Sequence, residues 1–188
     1  MNELLSLADF RARTAAMYLS DVDIHGFRAA RDELFRTHPQ SAAPGPLKYL
    51  PPSDEFVAEV PVRPADGHID VDTGGPDGVL RYERVGILDT PWGQLTLWWF
   101  RAYGGGLFLP FRDGTCGNGS YGGGRYLTDT VKGTHGRGLV PLDDGRVRVD
   151  FNYAYNPSCA YDARWACPLA PPENRVTAEI RAGELAYD

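Results

Sequence analysis

Two of the three cysteines, Cys159 and Cys167, stand in the stretch YNPSCAYDARWACP (155–168) with seven residues between them. Thiols at this spacing admit four chemistries. A thiolate nucleophile needs a base or a cation to lower its pKa, and Arg164, Arg125 or His135 could provide one. A disulfide closing so short a loop would add about 2.5 kcal/mol in the chain-entropy model, but a reducing cytoplasm opposes it. A zinc or iron site is the third option. The spacing is too wide for a Cys-x-x-Cys knuckle, and His135 with Cys116 or Glu173 would have to complete the set. No residue is therefore assigned as a metal ligand. The fourth option is packing, in a corner stiffened by Pro157, Pro168, Pro171 and Pro172.

A second polar group surrounds the glycine-dense stretch FRDGTCGNGSYGGGRYL (111–127). Such loops cradle phosphate when they open a helix. Here both flanks read as strands and no Gly-Lys-Ser/Thr follows, which argues against a nucleotide P-loop. The bland reading is a tight β-connection with several glycines at positive φ. The functional reading is a flap over a cavity, with Asp113, Thr115, Tyr121 and Arg125 as its polar contacts. Arg125 could hold a carboxylate or phosphate with its planar fork, or pair internally with Asp113 or Asp150.

Beside the cysteines, Asn152, Tyr155 and Asn156 offer amides and an aromatic wall. With Trp98 and Tyr153 they have the composition of a ligand site, and equally of a core. Glu173 and Asn174 follow the cysteine loop directly. A carboxylate there could be a base or a ligand, whereas Asn after a Pro run more often closes a turn. The four histidines are scattered and form no metal-binding pattern. The candidate set is thus Cys159, Cys167, Tyr121 and Arg125 for chemistry. Asp113, Thr115, Asn152, Tyr155, Asn156, Glu173 and Asn174 are the candidates for ligand contacts. The residues specify no cofactor.

Composition narrows the function classes. A chain of 188 residues, 43% hydrophobic and 12% aromatic, can bury a sizeable core. Its net charge of −6, from 19 basic and 25 acidic residues, opposes a broad nucleic-acid or anionic-membrane surface. QLTLWWF is broken by Arg101, and MNELLSLADFRAR lacks the apolar core of a secretory signal. The expected address is cytoplasmic. The expected partner is a small molecule, with no nucleic acid or membrane, and a homodimer is a further expectation.

These groups must be positioned by a mainly β framework. Two helices open the chain. Over 3–19, Leu4, Leu7, Ala8, Ala15 and Tyr18 suggest a loose apolar stripe. Ser20 and Asp23 suggest a capping box. In the second helix Ile24, Phe27, Ala30, Leu34 and Phe35 recur at helical spacing, with Arg28, Arg31, Asp32 and Arg36 on the outer side. HPQSAAPGP ends it. Strands are expected at 55–62, 68–73, 80–90, 93–103, 106–113, 124–130, 146–155 and 175–184, with hairpin turns at DTPWG and DDG. Around Trp98 both strand faces want burial. The prediction is an antiparallel β-barrel or curved β-sandwich of about eight strands, preceded by two α-helices. Residues 1–46 form a helical segment packed on the sheet, and 47–188 form the β unit.

FRDGTCGNGSYGGGRYL followed by DFNYAYNPSCAYDARWACPLAPPENR (150–175) resembles the DUF1684 family of bacterial proteins. DELFRTHPQSA (32–42) and LKYLPPSDEF (47–56) resemble that family's N-terminal portion. The resemblance spans roughly 24–184 and implies that the cysteine motif is a family signature without implying its purpose. Residues 128–145 look particular to this chain, and Cys116 stands where a serine is expected. Neither departure favours Cys116 or His135 as family machinery. The expectation is a small-molecule site formed by the loop 113–125 and the segment 152–174, compatible with binding alone or with catalysis. The alternatives are zinc or iron on Cys159 and Cys167, and an interaction module whose motifs are structural.

Overall fold

The computed structural model describes residues 2–43, 45–73, 78–101, 105–165 and 167–187, without the side chain at position 131. Two helices, α1 (Glu3–Leu19) and α2 (Ile24–Thr37), precede nine strands among these residues. The strands are β1 (Val57–Arg63), β2 (His68–Asp72), β3 (Val79–Thr90), β4 (Gly93–Phe100), β5 (Gly106–Phe108), β6 (Pro110–Phe111), β7 (Arg125–Tyr126), β8 (Leu139–Pro141) and β9 (Arg146–Asp150). One antiparallel sheet runs β5-β4-β3-β1-β9-β8, with β2 paired to β3, and curls into a half-barrel. β6 and β7 form a separate ribbon.

The curl has a local cause. The β3–β4 register slips between Arg84 and Gly86, and such bulges bend and twist a strand. A side chain at Gly86 would lie 2.5 Å from Val62 and 2.6 Å from the Arg63 carbonyl, so only glycine lets β1 approach there. The turn at DTPWG is the tight β3–β4 hairpin. The DDG turn joins β8 to β9, and β8 itself lies between the strands expected at 124–130 and 146–155, where none is expected.

Several expectations change, each for a visible reason. The buried stripe of α1 is Ser6, Phe10, Thr14, Met17 and Tyr18, while Leu4 is exposed. The large aromatics decide the face, and Thr14 satisfies its hydroxyl on the Phe10 carbonyl at 2.9 Å. Ser20 belongs to the end of α1, where its hydroxyl donates to the Met17 carbonyl at 2.8 Å. Asp23 alone caps α2, accepting from the Gly26 N–H at 2.8 Å.

The strand expected over 146–155 stops at Asp150, whose carboxylate accepts the Asn152 N–H at 3.0 Å and starts a 3-10 turn over Phe151–Tyr153. Residues 106–113 break into β5 and β6, and 124–130 contribute only β7. The strand expected over 93–103 ends at Phe100, with 102 and 103 outside the described residues. Within it Leu95, Thr96, Leu97 and Trp98 are all buried, so both faces are covered, though Trp99 stays part-exposed. Segment 175–184 is irregular. It exchanges hydrogen bonds with Arg112 and Gly114, and then with Ala154. The Arg125 guanidinium takes the carbonyls of Ile180, Ala182 and Glu184, the groups a sheet neighbour would otherwise need.

Arg31, expected on the outer face of α2, is 3% exposed. Its guanidinium meets Glu184, 1% exposed, at 2.9 Å. The Tyr49 and Tyr161 hydroxyls lie at 2.7 and 3.2 Å from it. Removing one member of such a pair strands a buried charge. Arg31→Met should therefore lower stability by about 3–5 kcal/mol, measured by urea unfolding. Adding Glu184→Met should recover most of that loss. A single-variant cost near zero would show that the pair does not hold the fold.

Candidate functional site

The glycine-dense loop is built around Asp113. Its carboxylate accepts from the Thr115 N–H at 3.2 Å, the Thr115 hydroxyl at 2.8 Å and the Ile180 N–H at 2.8 Å. It also pairs with Arg125 at 3.1 Å, with both side chains buried. Thr115 and Ser120 share a hydroxyl contact of 2.8 Å. Asp113, Thr115 and Arg125 thus spend these groups on shaping the loop and on the 180–184 backbone. The loop presents Tyr121, half-buried, whose ring folds back over its own chain. A side chain at Gly123 would lie 2.4 Å from that ring and would have to displace it.

The second element is the cysteine loop. Asn156 anchors its start: its N–H donates to Glu184 at 3.2 Å and its amide to the Leu185 carbonyl at 2.7 Å. After Pro157 the chain makes a 3-10 turn over Ser158–Ala160 that carries Cys159. Tyr161 donates to Glu184 and so ties this turn to the buried ion pair. At the other end the Tyr126 hydroxyl donates to the Pro168 carbonyl at 2.6 Å.

Between these anchors Cys159 and Cys167 are unbridged and half-buried. The Cys159 N–H points at the Cys167 sulfur at 3.0 Å. The Tyr121 hydroxyl donates to the Cys159 sulfur at 3.9 Å. The structure therefore brings together Tyr121, Cys159 and Cys167 from the candidate set.

The electrostatics single out one sulfur. Cys159 is lowered to about 7, chiefly by the hydrogen bond from the Cys167 thiol. Burial opposes this, and the Tyr121 hydroxyl and the field of Lys132 assist it. Cys167 is raised, because it donates to Cys159 and is desolvated, while the Cys159 N–H pulls the other way. Burial and the neighbouring Cys159 also raise Tyr121, which keeps it a proton donor. Cys159 is thus the sulfur of the pair that ionises first as pH rises toward neutrality.

The other candidates are engaged elsewhere. Asn152 exchanges bonds with both backbone groups of Ser53, at 3.0 and 2.9 Å. Tyr155 is buried, with its hydroxyl on Thr134 at 2.8 Å. Asn174, fully buried, accepts from the Trp98 indole at 3.1 Å and donates to the Thr96 and Pro110 carbonyls at 2.8 Å each. Glu173 pairs with Arg84 at 2.9 Å and accepts from Thr96 at 3.1 Å. Trp98 and Tyr155 belong to a packed aromatic cluster with Tyr82, Phe100, Phe108 and Tyr126.

Among the described residues no three of His, Cys, Asp or Glu converge as a metal centre. No helix there is long and apolar enough to cross a membrane. A cleft of about 360 Å³ lies elsewhere, between the end of α1 and Arg137, Arg148 and Tyr153. Sequence reasoning missed Lys132, which lies within the stretch read as particular to this chain. It also missed the Arg31–Glu184 pair, whose members are too distant in sequence to suggest each other.

The Tyr121 contact is testable in a Cys116→Ser background. Alkylation of Cys159 by iodoacetamide should rise through an inflection near pH 7. Tyr121→Phe removes a donor to the anion and should move that inflection upward by roughly one pH unit. An unmoved inflection would show that the hydroxyl does not act on the sulfur.

A family model described as a protein of unknown function (DUF1684) matches residues 45–185. Comparison with curated proteins gives no significant match. The solution NMR structure of an uncharacterised protein from locus rrnAC0354 of Haloarcula marismortui is 32% identical, over 86% of this chain and 91% of that one, with a TM-score of 0.57.

Proposed function

Since the chain belongs to the DUF1684 family, whose function is unknown, its own side chains carry the reading, and we propose a small-molecule-binding protein whose reactive centre is the Cys159 thiolate. The observation that supports this most is the Tyr121 hydroxyl on the Cys159 sulfur at 3.9 Å. It joins the glycine-dense loop to the cysteine loop at a sulfur that remains half-buried rather than sealed.

A thiolate near neutrality is the nucleophile of covalent catalysis. Its partner is a soft electrophilic centre on a small molecule. Tyr121, still protonated, stabilises the resting thiolate and can donate to charge developing on the group it attacks. Lys132 adds a favourable field. Asp113, Thr115 and Arg125 act as positioning residues, because they hold the loop that carries Tyr121. Asn156 plays that part for the cysteine loop. A reducing cytoplasm, the address the sequence suggests, would keep both thiols available.

A binding site and a bare thiol differ in their kinetics. The rate of Cys159 modification by small chloroacetamides should saturate with reagent concentration for at least some members of a series. Cys159→Ser should abolish labelling while leaving the melting temperature nearly unchanged. A strictly linear concentration dependence across the whole series would sink the proposal.

A further inference from the structure

We propose, resting on that reading, that the substrate class is disulfides of small thiols, with Cys159 as the attacking sulfur and Cys167 as the resolving one. The geometry carries this. A sulfur held 3.0 Å from the Cys159 nitrogen lies within about 4.5 Å of the Cys159 Cα, given an N–Cα bond of about 1.46 Å. Side-chain rotation can then close a disulfide without long backbone travel. The same proximity makes the Cys167 thiol the largest cause of the lowered Cys159 pKa. The first part of the turn between them is fixed by Tyr161, while its far side lies at the surface, with Arg164 paired to Asp162 at 2.6 Å and Trp165 38% exposed.

The flanks suit an organic disulfide better than a bare peroxide. Leu169, 47% exposed, approaches Gly123 beside the Tyr121 ring and offers an apolar rim. Lys132, whose field reaches Cys159, supplies positive charge for the carboxylates that small biological thiols often carry.

The steps balance. The Cys159 thiolate attacks one sulfur of the substrate disulfide, whose S–S bond breaks. One thiolate leaves with the bonding pair and takes a proton from water, and a mixed disulfide remains on Cys159. Cys167 then loses its proton to solvent and attacks the Cys159 sulfur. The mixed disulfide breaks, and the second thiolate leaves and is protonated in turn. Two protein thiols are oxidised to one disulfide, and the substrate disulfide is reduced to two thiols.

The proton arrangement suits this order. While Cys159 is an anion, Cys167 keeps its proton by donating to it. Once Cys159 carries the substituent, that anion is gone. The Cys159 N–H still points at the Cys167 sulfur, so the second thiol ionises more readily at the step that needs it.

The experiment mixes reduced Cys116→Ser protein with oxidised glutathione and follows intact mass and released thiol. The expected product is a Cys159–Cys167 disulfide with two glutathione thiols released per chain. Adding Cys167→Ser should stop the reaction at a glutathione adduct on Cys159 with one thiol released. If the Cys116→Ser protein also stops at that adduct, resolution by Cys167 is wrong while the nucleophile stands. If Cys159 takes no glutathione while its chloroacetamide labelling still saturates, the disulfide class is wrong and the reactive thiolate stands; if both are absent, both readings fail. If hydrogen peroxide at equal concentration closes the disulfide faster than oxidised glutathione, the substrate class is wrong.

Discussion

Arg31 and Glu184 are more than 150 positions apart in the chain, yet they share the contact on which the rest of the molecule hangs. Neither charge would survive burial alone, since several kcal/mol of hydration are lost by each ion. Together they are surrounded by groups that complete their hydrogen bonding. The Tyr49 and Tyr161 hydroxyls face the guanidinium. The Asn156 N–H and the Tyr161 hydroxyl face the carboxylate. Arg31 also lies over the Phe35 ring at 4.5 Å. One cluster thereby fixes α2, the chain at Tyr49, the start of the cysteine loop and the segment at Glu184. Tyr161 is two residues beyond Cys159, so the position of that sulfur is set by the ion pair more than by any sheet.

Arginine does comparable work at the other motif. Irregular backbone must satisfy its carbonyls without a ladder. Arg125 answers three of them in alternate residues of one segment while pairing with Asp113. The Arg125 guanidinium thus stands in for a strand neighbour that the half-barrel lacks, while Arg31 ties α2 to the cysteine loop through Glu184 and Tyr161. Between them they bring into contact two loops that are otherwise separate in sequence. The thiol site is the place where these loops meet.

Much of this framework is legible in the residues, and the exceptions share a cause. The helical period marks α2, and the Gly/Pro punctuation marks β3 and β4 with their turn. Local pattern fails where a distant partner decides the outcome. Arg31 reads as surface because its counter-charge lies far along the chain. Residues 175–184 alternate like a strand, but Arg125 takes the carbonyls that a neighbouring strand would need. Asp150 ends β9 early with its own side chain. At the site, the cysteine spacing draws attention to the right loop but cannot show that Tyr121, 38 positions earlier, reaches Cys159. Lys132 went unnoticed because a lone lysine in an unfamiliar loop carries no local signal.

The half-barrel leaves its sheet open, and open sheets invite copies of themselves to add on. The two terminal strands, Gly106–Phe108 and Leu139–Pro141, are three residues long, and the second ends in a proline. The side strand His68–Asp72 turns His68, Asp70 and Asp72 outward. Edges this short, interrupted or charged give an incoming strand little to extend. The architecture that keeps the sheet from closing therefore also protects the protein from fibrous aggregation, at the three places where its backbone is least occupied.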